Sequence, residues 1–294
     1  MQAGKYRKGE EQTKVSGKSK EVERGPKYPI IFEKIKMMRL LDDDLMTRVF
    51  EGNFRATELL LRIFLNRDDL TVTEIQTQYV VKNLQGRSIR MDIRAKDREG
   101  VVYNIEIQRA DAGAGAKRAR YNSSLIDADC LLPGDDVKML PNTYVIFITE
   151  NDIFGKGLPI YHVDRVIREL DQPFGDGAHI LYVNGAYQGD SDIGKLMHDF
   201  RCTDPNDMHF PELKESVRYY KENEEGVNTM CKVVEELCND ARKEGREEGR
   251  IENLKKSILA IADILSAEEI AKRLQVSLDF VKSVLASGTA QQRN

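Results

Sequence analysis

The 294-residue sequence has no run of about 18 or more apolar residues. This absence excludes a conventional transmembrane helix, which needs about 20 such residues to cross the hydrocarbon core. The opening segment, MQAGKYRKGEEQTK, also lacks the apolar stretch of a secretory signal peptide. We therefore predict a cytoplasmic protein with no membrane partner.

Cysteine and histidine are both scarce, with four residues of each. The cysteines form no Cys-x-x-Cys pair, so we predict reduced structural thiols and neither a zinc site nor a disulfide framework. No histidine has a partner at catalytic spacing, and we expect each of them in the core or at the surface. The residues concerned are Cys130, Cys202, Cys231, Cys238, His162, His179, His198 and His209.

An excess of positive charge is also missing, because 45 Lys and Arg face 49 Asp and Glu, for a net charge of -4. Nucleic acid would therefore have to bind a local basic surface and not the overall field of the protein. The length and the 40% of hydrophobic residues are sufficient for one large domain with an appendage, or for two domains.

Four segments of the chain differ in composition. Residues 1–28 carry many Lys, Gly and Ser and almost no large apolar side chains, which predicts a disordered basic tail. Residues 29–205 combine helical and strand patterns, which predicts an α/β or α+β core. Residues 206–256 read as a charged helical connector, and residues 257–294 as a helical hairpin that weakly resembles a helix-turn-helix.

The sequence predicts where the C-terminal helical hairpin begins, but it leaves the function of this hairpin open. Ser266 is predicted to cap its first helix, with Glu269 three residues later completing a capping box. The second helix exposes Asp279 beside Lys282, a poor combination for reading bases. Packing or self-association into a homo-oligomer is at least as good an interpretation as DNA binding.

Within the core, five segments have clear periodicity. They are a helix at Asn53–Leu65, a strand at Thr71–Lys82, a helix from about Ala112 to Ile126, a buried strand at Thr143–Thr149 and a shorter strand at His179–Val183.

Between the second and third of these lies the hairpin MDIRAKDREGVVYNIEIQ, Met91–Gln108. Its alternation places Asp92 and Glu106 on the polar face and nearly opposite each other, although opposed like charges destabilise a sheet. Lys117, Arg118 and Arg120 follow on the next helix. Acids flanked by bases suit a metal ion with bound phosphate. A solvated sheet face explains the same pattern equally well.

Sequence motifs add a family resemblance. Asp92, thirteen further residues and Glu106-Ile107-Gln108 resemble the D…(D/E)-x-K pattern of the PD-(D/E)XK nuclease superfamily, with Gln108 in the Lys position. The segments YNIEIQRA, AKRARYNSSLID and LLPGDDVKMLPNTYVIFITENDIFGKGLPIYHVDR resemble its transposase-like branch, the recombination-promoting nucleases, over roughly residues 30–290. Met91 stands where the superfamily commonly has Pro, and we expect it to pack inward beside Ile93.

The resemblance implies a fold, an activity and a site. The fold is a PD-(D/E)XK core with a central mixed sheet flanked by helices, here with a helical C-terminal extension. The activity is metal-dependent DNA endonuclease activity in a bacterial protein linked to recombination or mobile elements. Asp92, Glu106 and the backbone carbonyl of Ile107 would bind Mg²⁺ or Mn²⁺, and Gln108 would orient the attacking water.

Further roles are assigned with their alternatives. Glu58, at the edge of the apolar stripe of the first helix, is a candidate third acid, because the superfamily often takes one from this helix. A pairing with a nearby Arg explains Glu58 equally well. Arg118, Arg120 and Tyr121 are predicted to face phosphate, or to form a solvated helix face. A catalytically inactive nuclease fold that binds nucleic acid or a protein remains the alternative function.

Overall fold

The computed structural model of the chain describes residues 29–83, 86–109 and 111–291. The predicted disordered tail, residues 1–28, lies outside them. In these described ranges, no helix is both long enough and apolar enough to cross a membrane.

The helices of the described residues are α1 (Pro29–Met37), α2 (Asp43–Phe50), α3 (Phe54–Leu65), α4 (Ala116–Cys130), α5 (Asp192–Arg201), α6 (Pro211–Glu222), α7 (Glu224–Ile261), α8 (Ala267–Leu274) and α9 (Leu278–Gln291). The strands are β1 (Val72–Val81), β2 (Ile89–Asp97), β3 (Val102–Gln108), β4 (Thr143–Thr149), β5 (Ile160–Val163), β6 (Val166–Ile167), β7 (Gln172–Pro173) and β8 (Ala178–Asn184).

The main sheet has six strands in the order β1-β2-β3-β4-β8-β5. The first three form an antiparallel meander, β4 pairs in parallel with both β3 and β8, and β5 is antiparallel to β8. Parallel neighbours need a crossover connection, and α4 lies in the connection between β3 and β4. The predicted α/β fold, with a central mixed sheet flanked by helices, is confirmed.

Each face of the sheet has its own hydrophobic cluster. The first cluster packs Tyr103 and Ile105 of β3 against α1, α2, α3, α5 and α6. The second packs Val102 of β3 against Ala119 and Ile126 of α4. Because successive residues of a strand face opposite sides, the side chains of β3 that alternate with Tyr103 and Ile105 are directed toward α4.

The first two strands change the cluster that they contact halfway along. In β1, Ile75 packs on the first cluster and Val81 lies in the second. In β2, Ile93 lies in the first cluster and Met91 in the second. The change coincides with Gln78 of β1, whose φ of 54° is left-handed. Met91 is fully buried, but the expectation that it packs beside Ile93 was wrong, because the two side chains lie in different hydrophobic clusters.

One predicted element is displaced along the chain. The helix expected from Ala112 to Ile126 is α4, which begins at Ala116 and ends at Cys130. A short 3-10 turn at Asp111–Ala114 occupies the four residues where the helix was expected to begin. The other predicted helix and strands of the core correspond to α3, β1, β4 and β8.

Residue 205, the expected end of the core, lies before two helices that pack on the first cluster. Leu213 and Val217 of α6 and Met230 and Val234 of α7 all belong to it. Helix α7 then continues without interruption, for 38 residues in all.

The C-terminal helices have a small cluster of their own, formed by Ile258 of α7, Ile270 of α8 and Val281 and Val284 of α9. The predicted capping box is present, since the side chain of Ser266 accepts from the backbone of the third helical residue and the Glu269 side chain accepts in return.

A buried carboxylate holds the turn between β2 and β3. Asp97 is 3% exposed, and its side chain accepts the N–H groups of Glu99 and Val101, each at 2.9 Å, and the hydroxyl of Tyr103 at 2.7 Å. These bonds fix the turn and the strand that follows, and therefore the relative position of the two strands that carry the acids of the hairpin.

We expect Asp97→Ala to lower the free energy of unfolding by about 2–4 kcal/mol, because it leaves buried donors without their charged acceptor. Urea denaturation followed by circular dichroism measures the change. Glu33→Ala is the control: Glu33 forms an exposed ion pair with Lys36, and its loss should cost about 0.5 kcal/mol or less. Equal effects of the two substitutions would contradict the role given to Asp97.

Candidate active site

The strands β2 and β3 separate at the end that carries the two acids. Their backbone pairing runs from Lys96 opposite Val102 to Ile93 opposite Ile105 and ends at that rung. At the next rung the Asp92 carboxylate accepts the backbone N–H of Ile107 at 2.8 Å. A side chain thus takes the place of a backbone acceptor, and the sheet opens around it.

Glu106, on the neighbouring strand, is completely buried. Its carboxylate lies 2.9 Å from the Arg118 guanidinium and 3.5 Å from the Asn122 amide, both on α4. Asn104, two residues earlier on the same strand face, is also completely buried, and neither side-chain amide atom has a hydrogen-bond partner among the described residues. The pocket of Glu106 therefore contains more polar groups than its hydrogen bonds satisfy.

Burial shifts the titration of both acids. The pKa of Asp92 is raised to about 6, mainly by desolvation and to a smaller extent by Asp43, against the hydrogen bond from Ile107. The pKa of Glu106 is raised to about 7, mainly by desolvation and then by Asp92, against the charge of Arg118. Each of these two adjacent carboxyls disfavours the ionisation of the other. A cation bound between them would favour the ionised form of both, so the pair is a candidate cation site.

The pair lies beside a cavity of about 1320 Å³. Asp92 and Ile107 line its wall, and Glu106 lies behind them. The cationic side chains that line it are Arg87, Arg90, Arg109, Lys117, Arg118 and Arg120. The protein is acidic overall, so this cavity is the local basic surface that the sequence required of a nucleic-acid-binding protein.

Gln108 reaches the same carboxylate, with its amide nitrogen 3.5 Å from Glu106 Oε2. Its carbonyl end lies against Gly113, where an added Cβ would come within 1.9 Å of Gln108 Oε1. The missing side chain at Gly113 therefore makes room for Gln108 in this position.

The structure does not bring Glu58 to the acid pair. One oxygen of its carboxylate accepts the backbone N–H of Val72 at 2.9 Å, and the other lies 3.3 Å from Arg62. Glu58 thus anchors the start of β1 to α3, and the geometry does not support the expectation that it completes the site. The alternative pairing with an Arg is the one observed.

Two of the residues predicted to contact phosphate, Arg120 and Tyr121, differ in whether their polar groups are already hydrogen-bonded within the protein. Arg120 lines the cavity and is exposed. Tyr121 also lines it, but its hydroxyl donates to the backbone carbonyl of Arg87 and accepts from the Asn83 amide at 3.2 Å. Tyr121 therefore fixes the segment before β2, and only its ring is directed at the cavity.

An acid that sequence reasoning missed lies at the cavity instead of Glu58. Asp43, the first residue of α2, accepts from the Gln78 amide at 3.1 Å and lies 3.9 Å from Arg90. The run Asp42-Asp43-Asp44 was a signal for it, although acids are also favoured in the first turn of any helix. Arg109 was missed as well, because the chain gives no sign that it returns to α2 to pair with Asp42.

Comparison with known proteins gives one match. Residues 51–186 match the family described as PD-(D/E)XK nuclease family transposase, a range that begins before α3 and ends after β8. No curated protein and no solved structure matches the chain significantly.

The raised pKa values predict how stability responds to pH in metal-free protein. A carboxyl with a higher pKa in the folded state contributes stability at low pH and loses that contribution as the pH rises through its folded pKa, here about 6 for Asp92 and about 7 for Glu106. Glu106→Gln removes this penalty. Between about pH 4.5 and pH 8, the variant should gain on the order of 1–3 kcal/mol relative to the wild type.

Chemical denaturation in EDTA at the two pH values measures the difference. Asp68→Asn, which neutralises an exposed acid, is the matched control and should show no such gain. A parallel pH dependence of Glu106→Gln and wild type would contradict the raised pKa of the buried pair.

Proposed function

We propose that the chain is a metal-dependent DNA endonuclease acting in recombination or on mobile elements, because residues 51–186 match the PD-(D/E)XK nuclease family transposase. The observation that carries this proposal is the pair formed by partly buried Asp92, at the wall of a cavity lined by six cationic side chains, and fully buried Glu106, which contacts Arg118 of that wall. Phosphodiester hydrolysis needs carboxylates to hold a metal ion and cations to hold phosphate, and the cavity offers both.

Asp92 and Glu106 are the proposed ligands for Mg²⁺ or Mn²⁺. In a strand the N–H and C=O of one residue point to the same side, so the Ile107 carbonyl is directed like its N–H, toward Asp92. Two carboxylates and a carbonyl form the all-oxygen donor set that these cations prefer. When bound, the ion would supply charge neutralisation and lower the pKa of a water.

Arg118 is proposed to have two partners in turn. In the metal-free protein its guanidinium neutralises Glu106 and is still 42% exposed in the cavity. A cation at Glu106 would compete for the same carboxylate and release the guanidinium for a phosphate oxygen, which its fork of donors suits. Arg120, exposed at the same cavity, would hold a neighbouring phosphate.

Gln108 is proposed to orient the attacking water. Its amide can donate to and accept from a water near Glu106, but it carries no charge with which to stabilise the developing oxyanion. That task falls to the cation and to Arg118. Activity should therefore depend more steeply on metal concentration than in a relative that has Lys at this position.

The competing function is an inactive nuclease fold that binds nucleic acid or a protein partner. It retains the basic cavity but needs no metal at the acid pair, so binding of plasmid DNA without any nicking in Mg²⁺ or Mn²⁺ would favour it. The proposed DNA substrate is consistent with a cytoplasmic protein. Self-association is proposed for the C-terminal helices, near the exposed Leu259 and Ile264.

Asp92→Asn and Glu106→Gln should each reduce metal-dependent nicking of supercoiled plasmid by about 10²-fold or more, because each removes a metal ligand. Circular dichroism should show folded variants. Glu99→Gln, an exposed acid at the turn of the same hairpin, should cut at the wild-type rate. Folded acid-pair variants that still cut at that rate would refute the assignment.

Gln108→Leu should reduce cleavage by on the order of 10²-fold, because leucine matches glutamine in size but cannot orient water. Gln108→Lys should preserve or raise cleavage when metal is limiting. Gly113→Ala tests the position of the Gln108 side chain without changing its amide group. The added methyl group should displace the Gln108 side-chain carbonyl and cause part of the loss of cleavage seen in Gln108→Leu. The measurement is the nicking rate across a Mg²⁺ titration, and a Gln108→Leu curve that overlays the wild type would show Gln108 to be a bystander.

A further inference from the structure

A second group of ligand-type side chains lies where α5 ends and the chain turns toward α6. A ring nitrogen of His198, a carboxylate oxygen of Asp199 and a ring nitrogen of His209 all lie within 4.8 Å of one another. The Cys202 sulfur lies 3.4 Å from Nδ1 of His198. These four residues belong neither to the cavity of Asp92 nor to its walls.

The backbone is arranged to bring these side chains together. His198 and Cys202 are four residues apart at the end of α5, which places both on one face. The buried Asp199 carboxylate accepts the backbone N–H of His209 at 2.8 Å and that of Phe210 at 2.9 Å. These bonds return residue 209 to the helix, so that the two imidazole rings lie 4.7 Å apart.

The spacing of the donor atoms fits a tetrahedral ion. Two ligand atoms at 2.0–2.3 Å from a tetrahedral zinc lie about 3.5 Å from each other. His198 Nδ1 lies 3.4 Å from the Cys202 sulfur and 3.4 Å from Asp199 Oδ1. Both separations match an edge of such a polyhedron. A ring nitrogen of His209, an exposed side chain, lies within 4.8 Å of the His198 and Asp199 donor atoms, and Cys202 joins these three through its contact with His198.

A cysteine beside a histidine also raises the question of a nucleophile, and the surroundings of Cys202 argue against one. A nucleophilic thiol needs a lowered pKa. Desolvation, together with the nearby charge of Asp199, raises the pKa of Cys202 to about 11. In the absence of a metal ion, the pair therefore lacks the activated thiolate of a Cys–His catalytic site, whereas a bound metal ion would itself deprotonate the thiol.

We propose that His198, Asp199, Cys202 and His209 bind one divalent transition-metal ion, of the Zn²⁺ class. Imidazole and thiolate donors select such ions, whereas Mg²⁺ prefers oxygen donors. The site is thus chemically distinct from the acid pair in the cavity. Its bound ion would fasten the segment between α5 and α6 and thereby stabilise the packing of α6 on the sheet.

The test uses the full chain, freed of metal with a chelator and then titrated with Zn²⁺ by calorimetry in an excess of Mg²⁺. We expect one equivalent of Zn²⁺ to bind and to raise the melting temperature. The double variant His198→Gln/His209→Gln should lose both effects. His162→Gln, an exposed histidine outside the cluster, and Asp92→Asn/Glu106→Gln should keep them.

Cobalt provides a direct view of the ligands. With Co²⁺ in place of Zn²⁺, the wild type should show the thiolate-to-cobalt absorption band and tetrahedral d–d bands, and Cys202→Ser should lose the thiolate band alone. Absence of stoichiometric Zn²⁺ binding, or binding that is unchanged in the double histidine variant, would overturn the site. A thiolate band that persists in Cys202→Ser would overturn the assignment of Cys202.

Discussion

The Asp92 carboxylate accepts a backbone N–H in the position where the strand ladder should continue, and the rest of the site depends on this bond. The β2–β3 pairing ends here, and partly buried Asp92 lies next to fully buried Glu106. Such a pair is unfavourable by itself, because desolvation and mutual repulsion both oppose ionisation. Arg118 offsets part of this cost from the neighbouring helix. The β2–β3 pairing is therefore locally destabilised at this rung, and local strain of this kind is common at functional sites.

The same rung is irregular in the adjacent strand. Gln78 adopts a left-handed φ of 54°, a conformation that side-chain-bearing residues rarely take. Its amide donates to Asp43 and Thr47 of α2, which links the twist of β1 to the helix that supplies the cavity's third acid. The left-handed residue Gln78, the interrupted β2–β3 pairing and the acids Asp43 and Asp92 are therefore neighbouring parts of one site. It lies beside β3, a strand with an antiparallel neighbour on one side and a parallel neighbour on the other.

The sequence predicted those features that depend on local periodicity or on a short motif. Alternation along Met91–Gln108 was sufficient to place Asp92 near Glu106, and apolar runs located β4 and β8. Features set by tertiary contacts were missed. Glu58 and Asp43 both lie on helices before the sheet, and only the packing of α2 and α3 decides which one reaches the cavity. His209 lies near His198 because the Asp199 carboxylate accepts the backbone N–H of His209. The spacing of these residues in the sequence does not predict this contact.

Helix α7 is about 57 Å long at 1.5 Å per residue. Its beginning is packed on the core as far as Cys238, and Ile258 near its end is packed against the C-terminal helices. These two residues are about 20 positions, or about 30 Å, apart, and the side chains described between them are largely exposed. Because this segment is one continuous helix, a rotation at its packed end is transmitted to its far end. A tilt of about 5° at the core would move the far end by about 3 Å, so small motions near the sheet become large displacements of whatever α8 and α9 hold.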